Sequence, residues 1–251
     1  MDQRVLLEVC ANSVTSALAA QEGGAARVEL CENLYEGGTT PSYGQIALAR
    51  NLLHINIYVL IRPRGSDTLY TDLEFDVMIA DVRHCIEAGC DGIVIGILKP
   101  DGTIDKERCA TLVNMAKQHG LGATFHRAFD LSADLNQSLE DVIEIGCDRI
   151  LTSGGRTTAM EGAGVIMRLI KQAAGRITIM PGCGISETNA ADLVRYTGAT
   201  EIHASARRRF DSPMVFRNNH IVMGQNYGDE YSLDVTDAER VKQIIRNANE
   251  Y

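Results

Sequence analysis

Short runs of apolar, β-branched residues recur along the chain, and each is followed by a longer segment with helical periodicity. The runs are VLLEVC, ARVELC, NIYVLI, DGIVIGI, GATFH, DRILTS, RITIM and TEIHAS. They begin about 28 residues apart on average, which is the length of one strand and helix unit. In FDVMIADVRHCIEAG, between two such runs, Phe75, Ile79 and Val82 share one helical face.

Eight strand and helix units in succession favour a parallel sheet. In 251 residues they fit a closed (β/α)₈ TIM barrel better than an open doubly wound sheet. Because no linker or low-complexity segment divides the chain, we expect one domain over residues 1–251. The segment 206–231 is too long for an ordinary connection after the eighth strand, and we expect a functional or oligomeric loop there.

Composition narrows the classes of partner. The formal net charge of -9 argues against a nucleic acid or an anionic membrane as the main partner, because neutralising phosphates needs a basic face. The N-terminus lacks the order of a secretory signal, and no run of apolar residues is long enough to span a membrane. The seven cysteines include no CxxC pair, which is typical of free thiols in a reducing cytoplasm.

Two strands end in the same polar pattern, Glu-x-Cys. Because side chains alternate along a strand, Glu8 shares a face with Cys10, and Glu29 shares a face with Cys31. A carboxylate turned toward the helix layer would be buried without water, so we expect both pairs inside the barrel, near its mouth. Carboxylates on neighbouring strands raise each other's pKa unless cations compensate.

Three arginines at strand ends are the candidates for that compensation and for binding an anion. Arg62 and Arg64 lie in IRPRG, and Arg127 lies in TFHRAFD. The pattern predicts either a charge-balanced pocket for a small anionic molecule or a structural network of ion pairs in the barrel mouth. Function in such barrels resides at this end, which favours the pocket.

Acid–base candidates lie among the same strand ends. Glu8, Glu29 and His126 are the residues that could act as general acid or base, with Asp130 orienting His126. His126 could equally be a hydrogen-bonded residue of the rim.

The turn MPGCGIS follows the seventh strand and precedes a helix. Its Gly182 and Gly184 resemble the glycine turn that binds phosphate at that corner of many barrels, although a plain tight turn would look the same. Ser205, at the end of the eighth strand, or the Arg207 to Arg209 cluster could complete an anion site, and His203 is a further anion-binding candidate.

The thiols of the first two strands form a separate candidate. Neighbouring parallel strands lie about 4.8 Å apart, so Cys10 and Cys31, if at matched heights, could hold one soft ion such as Cu(I). The alternative is that both thiols simply fill the core, as free cysteines often do.

The ordered motifs LLEVC, ARVELC, EGGTTPS, IRPRGSD, DGIVIGIL, TFHRAFD, RILTSGG and EIHASA resemble those of the CutC copper-homeostasis family. The resemblance implies a cytoplasmic TIM barrel that assembles as a homo-oligomer, a dimer or a tetramer. It also implies copper binding, with Cu(I) on Cys10 and Cys31. The alternative function is a TIM-barrel enzyme that acts on a small phosphorylated or carboxylated metabolite.

Overall fold

The eight apolar runs form eight parallel strands in the computed structural model, which describes residues 4–218, 220, 221, 223 and 230–250. The strands are β1 Leu6–Ala11, β2 Arg27–Leu30, β3 Asn56–Leu60, β4 Gly92–Ile95, β5 Gly122–Phe125, β6 Arg149–Thr152, β7 Thr178–Pro181 and β8 Glu201–Ala204. They pair in the order β7-β6-β5-β4-β3-β2-β1-β8, and β7 also contacts β8. The predicted (β/α)₈ barrel is confirmed.

Helices surround the strands and bury one apolar face each. They are α1 Val14–Glu22, α2 Tyr43–Leu52, α3 Asp72–Glu87, α4 Lys106–Gln118, α5 Leu135–Ile145, α6 Ala163–Ala173, α7 Ala190–Thr197 and α8 Ala238–Asn249. Helix α3 begins with a reciprocal capping box, in which Thr71 bonds the backbone N–H of Glu74 and the Glu74 carboxylate bonds that of Thr71. None of the described helices is both long and apolar enough to cross a bilayer.

Alternation along the strands separates an apolar layer from a polar interior. Val9, Val28 and Ile57 are fully buried members of the apolar core cluster. The alternate residues of the same strands point into the barrel. Large interior side chains need small neighbours. A Cβ at Gly92 would lie 2.3 Å from the Tyr58 ring, and a Cβ at Gly122 would lie 1.9 Å from the Tyr58 hydroxyl, so these two glycines leave room for Tyr58.

The chain after β8 departs in part from the expected irregular loop. Strand β9 (Arg207–Asp211) pairs antiparallel with strand β10 (Ser232–Thr236). These two strands form an antiparallel ribbon. The backbone carbonyl of Tyr231 accepts a hydrogen bond from the Ser212 N–H, so the hydrogen bonding of the ribbon extends one residue past β9. Sequence reading missed the ribbon because β9 is rich in exposed charge, RRRFD, and has no apolar face. Residues 219, 222 and 224–229 of the predicted loop lie outside the described residues.

Candidate functional site

A cavity of about 630 Å³ lies at the carboxyl ends of the strands. Residues from both ends of the sequence line it, because the barrel brings β8 beside β1. The predicted site residues among its lining are Cys10, Glu29, Cys31, Arg62, His126, Arg127, Gly184, His203 and Ser205. The candidate residues therefore converge on one cavity, with Glu8, Gly182 and Arg64 outside its lining.

One wall of the cavity is the thiol subsite, formed by Cys10, Glu29, Cys31 and His203. The two Sγ atoms lie 3.6 Å apart, and within the described chain only these thiols and Glu29 form a candidate metal group, with ligand atoms within 4.8 Å of one another. The two thiols do not lie at matched heights, because Cys10 pairs with Glu29 in the ladder and Cys31 lies two residues farther on. The tilt of barrel strands brings the offset thiols together.

Protonation in the thiol subsite follows from burial and close contacts. The hydrogen bond with the Cys31 thiol, and then burial, raise the pKa of Cys10 well above its usual range. Burial raises the pKa of Glu29, although the charge of His203 opposes this. Burial lowers the pKa of His203, but hydrogen bonds with Cys10 and Glu8 outweigh it and hold that pKa well above 6.5.

Beneath the thiols lies a buried ion-pair layer, formed by Glu8, Arg27, Arg149 and Glu201. Arg27 donates to Glu8 and, at 2.6 Å, to Glu201, and Arg149 donates to Glu201 at 2.8 Å. His203 Nδ1 lies 2.8 Å from the Glu8 carboxylate. Burial raises the pKa of Glu8, but the charge of Arg27 and the bond from His203 lower it to about 2.

The ion-pair layer distinguishes Glu8 from Glu29, for which the sequence left both a ligand pocket and a structural network of ion pairs open. Glu8 belongs to a structural network of ion pairs, whereas Glu29 faces the cavity. The cations that compensate Glu8 are Arg27 and His203. The expected partners Arg62, Arg64 and Arg127 bind elsewhere.

Another part of the cavity wall is the arginine subsite, formed by Arg62, Thr68 and His126, which are 8%, 4% and 6% exposed. Arg62 donates to three backbone carbonyls, those of Glu36, Gly38 and Ser66. These bonds tie the loops after β2 and β3 together. Sequence reasoning named Arg62 and His126 but missed Thr68, which lies within the loop IRPRGSDT and has no periodic signal.

His126 is a neutral hydrogen-bond donor in this wall. The backbone N–H of Ala128 donates to Nδ1 at 3.0 Å, so the neutral ring carries its proton on Nε2. Burial, and then the charge of Arg62, lower the pKa of His126 to about 3. A histidine with so low a pKa is a poor general base at neutral pH.

Asp130 does not orient His126, contrary to expectation. Its carboxylate accepts bonds from Arg127, from the Thr152 hydroxyl and from the backbone N–H groups of Ser153 and Gly155. Asp130 points toward the end of β6 because the backbone N–H groups of that turn donate to its carboxylate. Arg127 therefore has a carboxylate partner within the chain.

The glycine turn after β7 lies partly in the cavity. Gly184 has a φ of +73° and lines the cavity, and Cys183 has a φ of +80°. The Cys183 thiol accepts a bond from Arg127 at 3.0 Å. Gly182 lies against His203 and Leu151, where a Cβ would clash with the leucine at 2.4 Å, so it serves packing.

Arg64 lies outside the cavity, on the loop that leads to α3. It pairs with Glu74 at 2.5 Å and with Asp67 at 3.2 Å, and it donates to the carbonyl of Leu69. Proline at position 63 separates Arg62 and Arg64, and the turn that follows directs the second arginine outward.

Comparison with known proteins identifies the family. The model of the CutC family matches residues 5–208, which is most of the chain and includes every strand of the barrel. The chain belongs to the CutC family. A family protein CutC of Xylella fastidiosa is 51% identical over 240 residues, which cover 96% of this chain and 87% of that protein.

Other members of the CutC family extend the similarity to animals and to a solved structure. The copper homeostasis protein cutC homolog of Homo sapiens is 48% identical over 240 residues, which cover 95% of this chain and 87% of that protein. A CutC crystal structure from Streptococcus agalactiae has a TM-score of 0.76 at 36% identity, covering 80% of this chain and 98% of that one. The similarity places this chain among proteins named for copper homeostasis.

The CutC barrel also contains interior residues beside the site that sequence reasoning missed. Arg27 and Arg149 both contact the interior ring of Tyr58, with guanidinium carbons 5.1 and 5.3 Å from its centroid. The alternation of side chains along β2 could have indicated Arg27, because Arg27 lies on the same face of the strand as Glu29. Both arginines begin their strands, where a polar residue is ordinarily read as the end of a loop.

Proposed function

We propose that this CutC-family protein holds Cu(I) on the thiolates of Cys10 and Cys31 and serves copper homeostasis in the cytoplasm. The observation that carries the proposal is the pair of free thiols 3.6 Å apart on the wall of a cavity. Soft thiolate ligands favour Cu(I) over the hard cations that carboxylates bind. The copper ion is cargo in this proposal.

The surroundings of the thiols support a monovalent soft ion. Cys31 is buried and Cys10 is partly exposed, so an ion reaching them leaves water behind. Glu29 is the one carboxylate in the group, and burial raises its pKa. Two thiolates and Cu(I) then carry one net negative charge, next to His203, whose pKa is raised.

The alternative of an enzyme has less support from the geometry. Glu8 is locked in ion pairs, and His126 is neutral with a pKa of about 3, so two of the three acid–base candidates are unsuited to proton transfer at neutral pH. A homo-oligomer remains part of the proposal, with the segment after β8 as the candidate for subunit contacts.

The test measures Cu(I) affinity by competition with a Cu(I)-chelating dye. We expect Cys10→Ala and Cys31→Ala each to weaken binding by more than about 100-fold, because each removes one of two ligands. The control is Cys90→Ala, since Cys90 and Cys85 form a second close thiol pair away from the cavity. Unchanged affinity in the two site variants would contradict the proposal.

A further inference from the structure

Arg62 is a buried cation whose counter-charge is missing from the described chain. Its guanidinium donates at 2.6 to 2.7 Å to the carbonyls of Glu36, Gly38 and Ser66. Within residues 4–218 and 230–250, no carboxylate comes within ion-pairing distance of Arg62, although dozens of other charged groups do pair. Carbonyl dipoles orient the guanidinium but do not neutralise it.

The two other donors of the arginine subsite are also incomplete. Among the described residues, His126 Nε2 and Thr68 Oγ1 are buried and have no hydrogen-bond partner. Both residues line the cavity together with Arg62. A buried donor without a partner costs free energy, and native proteins keep few such groups. Two buried donors without a partner, beside a guanidinium without a counter-charge, indicate one absent anionic acceptor.

We propose that the arginine subsite binds the carboxylate group of a small organic acid. Arg62 supplies the positive charge, and the His126 Nε2–H and the Thr68 hydroxyl donate to the carboxylate oxygens. The rest of the acid occupies the cavity toward the thiol subsite. This site is separate from the proposed copper ligands, and neither site requires the other.

The charges of the residues that line the cavity favour a ligand with a single negative charge. Arg127 is paired with Asp130, and His203 is paired with Glu8. Arg207, at the rim, is partly exposed and can be solvated. Arg62 is then the one buried lining cation that lacks a carboxylate among the described residues, which matches a single negative charge. Because the Asp130 carboxylate also lines the cavity, a phosphate dianion meets more repulsion than a carboxylate does.

The test is calorimetric titration of the metal-free protein with acetate, pyruvate and benzoate, and separately with inorganic phosphate, in a carboxylate-free buffer. We expect at least one carboxylate to bind saturably and more tightly than phosphate. Thr68→Val should weaken that binding about tenfold, as loss of one hydrogen bond to a charged group does. Arg62→Met should weaken it by about 100-fold or more.

Arg64→Met is the matched control, since Arg64 lies two residues away, also donates to backbone carbonyls, and points out of the cavity. It should leave carboxylate binding unchanged. If Arg62→Met fails to fold, Thr68→Val decides the matter alone. The proposal is overturned if none of the three carboxylates binds, if phosphate binds more tightly, or if Thr68→Val binds the carboxylate as tightly as the wild type.

Two further variants separate this proposal from copper binding. The double variant Cys10→Ala/Cys31→Ala should keep its carboxylate affinity, and Thr68→Val should keep its Cu(I) affinity. A carboxylate affinity that disappears with the thiols would place the anion on the thiol subsite and overturn the assignment to Arg62.

Discussion

The barrel interior buries arginines in two regions and treats them differently. In the ion-pair layer, Arg27 and Arg149 each meet a carboxylate of the same chain. In the arginine subsite, Arg62 meets only carbonyl groups. Arg27 and Arg62 are similarly buried, at 5% and 8% exposed, so the difference between them lies in where the counter-charge comes from. An arginine whose counter-charge lies within the chain serves the structure. An arginine without a counter-charge in the described chain indicates a site for an anionic ligand.

The largest expected difference between the two regions is in stability. Arg27→Met leaves the carboxylates of Glu8 and Glu201 buried with fewer partners, and we expect the free energy of unfolding to fall by about 3–5 kcal/mol. Arg62→Met leaves neutral carbonyls, and we expect a loss of about 1–3 kcal/mol. Urea unfolding measures both.

Arg176→Met, which breaks an exposed pair with Glu140, should leave the urea midpoint nearly unchanged. A loss for Arg62→Met as large as that for Arg27→Met would remove the distinction between the two regions.

Acid should lower the stability of the folded protein through His126. The pKa of His126 is about 3 in the folded protein against 6.5 ordinarily, so below pH 6.5 the unfolded chain takes up the proton first. Stability is therefore present above pH 6.5 and is lost as the pH falls toward 3. We expect a loss on the order of 3 kcal/mol between pH 6.5 and about pH 4.

Chemical unfolding across this pH range measures the effect. His126→Gln should lose this part of the pH dependence, whereas His119→Gln, at an exposed position, should retain it. The same slope in His126→Gln and wild type would mean that His126 is not held neutral.

The smallest expected effect compares two buried threonines. Thr68 Oγ1 has no partner in the described chain, whereas Thr197 Oγ1 donates to the Leu193 carbonyl at 2.7 Å. Without ligand, Thr68→Val should raise the free energy of unfolding by about 1 kcal/mol, and Thr197→Val should lower it by about 1–2 kcal/mol. Thermal and urea unfolding in carboxylate-free buffer check the signs, and a destabilised Thr68→Val would show that its hydroxyl is already satisfied.

The fold and much of the cavity lining could be predicted from the sequence, because both depend largely on periodicity. The period-2 rule put Glu29 and Cys31 on the inner face, and the barrel put the strand ends together. The pairings could not be predicted, because they depend on register and tilt. Cys10 faces Glu29 across the ladder, and Glu8 faces Arg27, neither of which a single strand reveals.

The partners of side chains in the loops could not be predicted, because they depend on loop conformation. Arg62 and Arg64 look equivalent in IRPRG, yet one is buried against carbonyls and the other pairs with Glu74. Asp130 looked like a partner for His126, but backbone donors at the end of β6 hold it instead. Turn conformation decided both cases, and apolar patterning carries no information about it.

The Tyr58 ring contacts Arg27 and Arg149, and Gly92 and Gly122 give it room inside the barrel. The thiol subsite and the arginine subsite line one cavity at the carboxyl ends of the strands. In a shared cavity, an acid bound at the arginine subsite hinders the movement of an ion to and from the thiols. We therefore expect the residence time of copper to depend on the acid even where the two equilibrium affinities are independent.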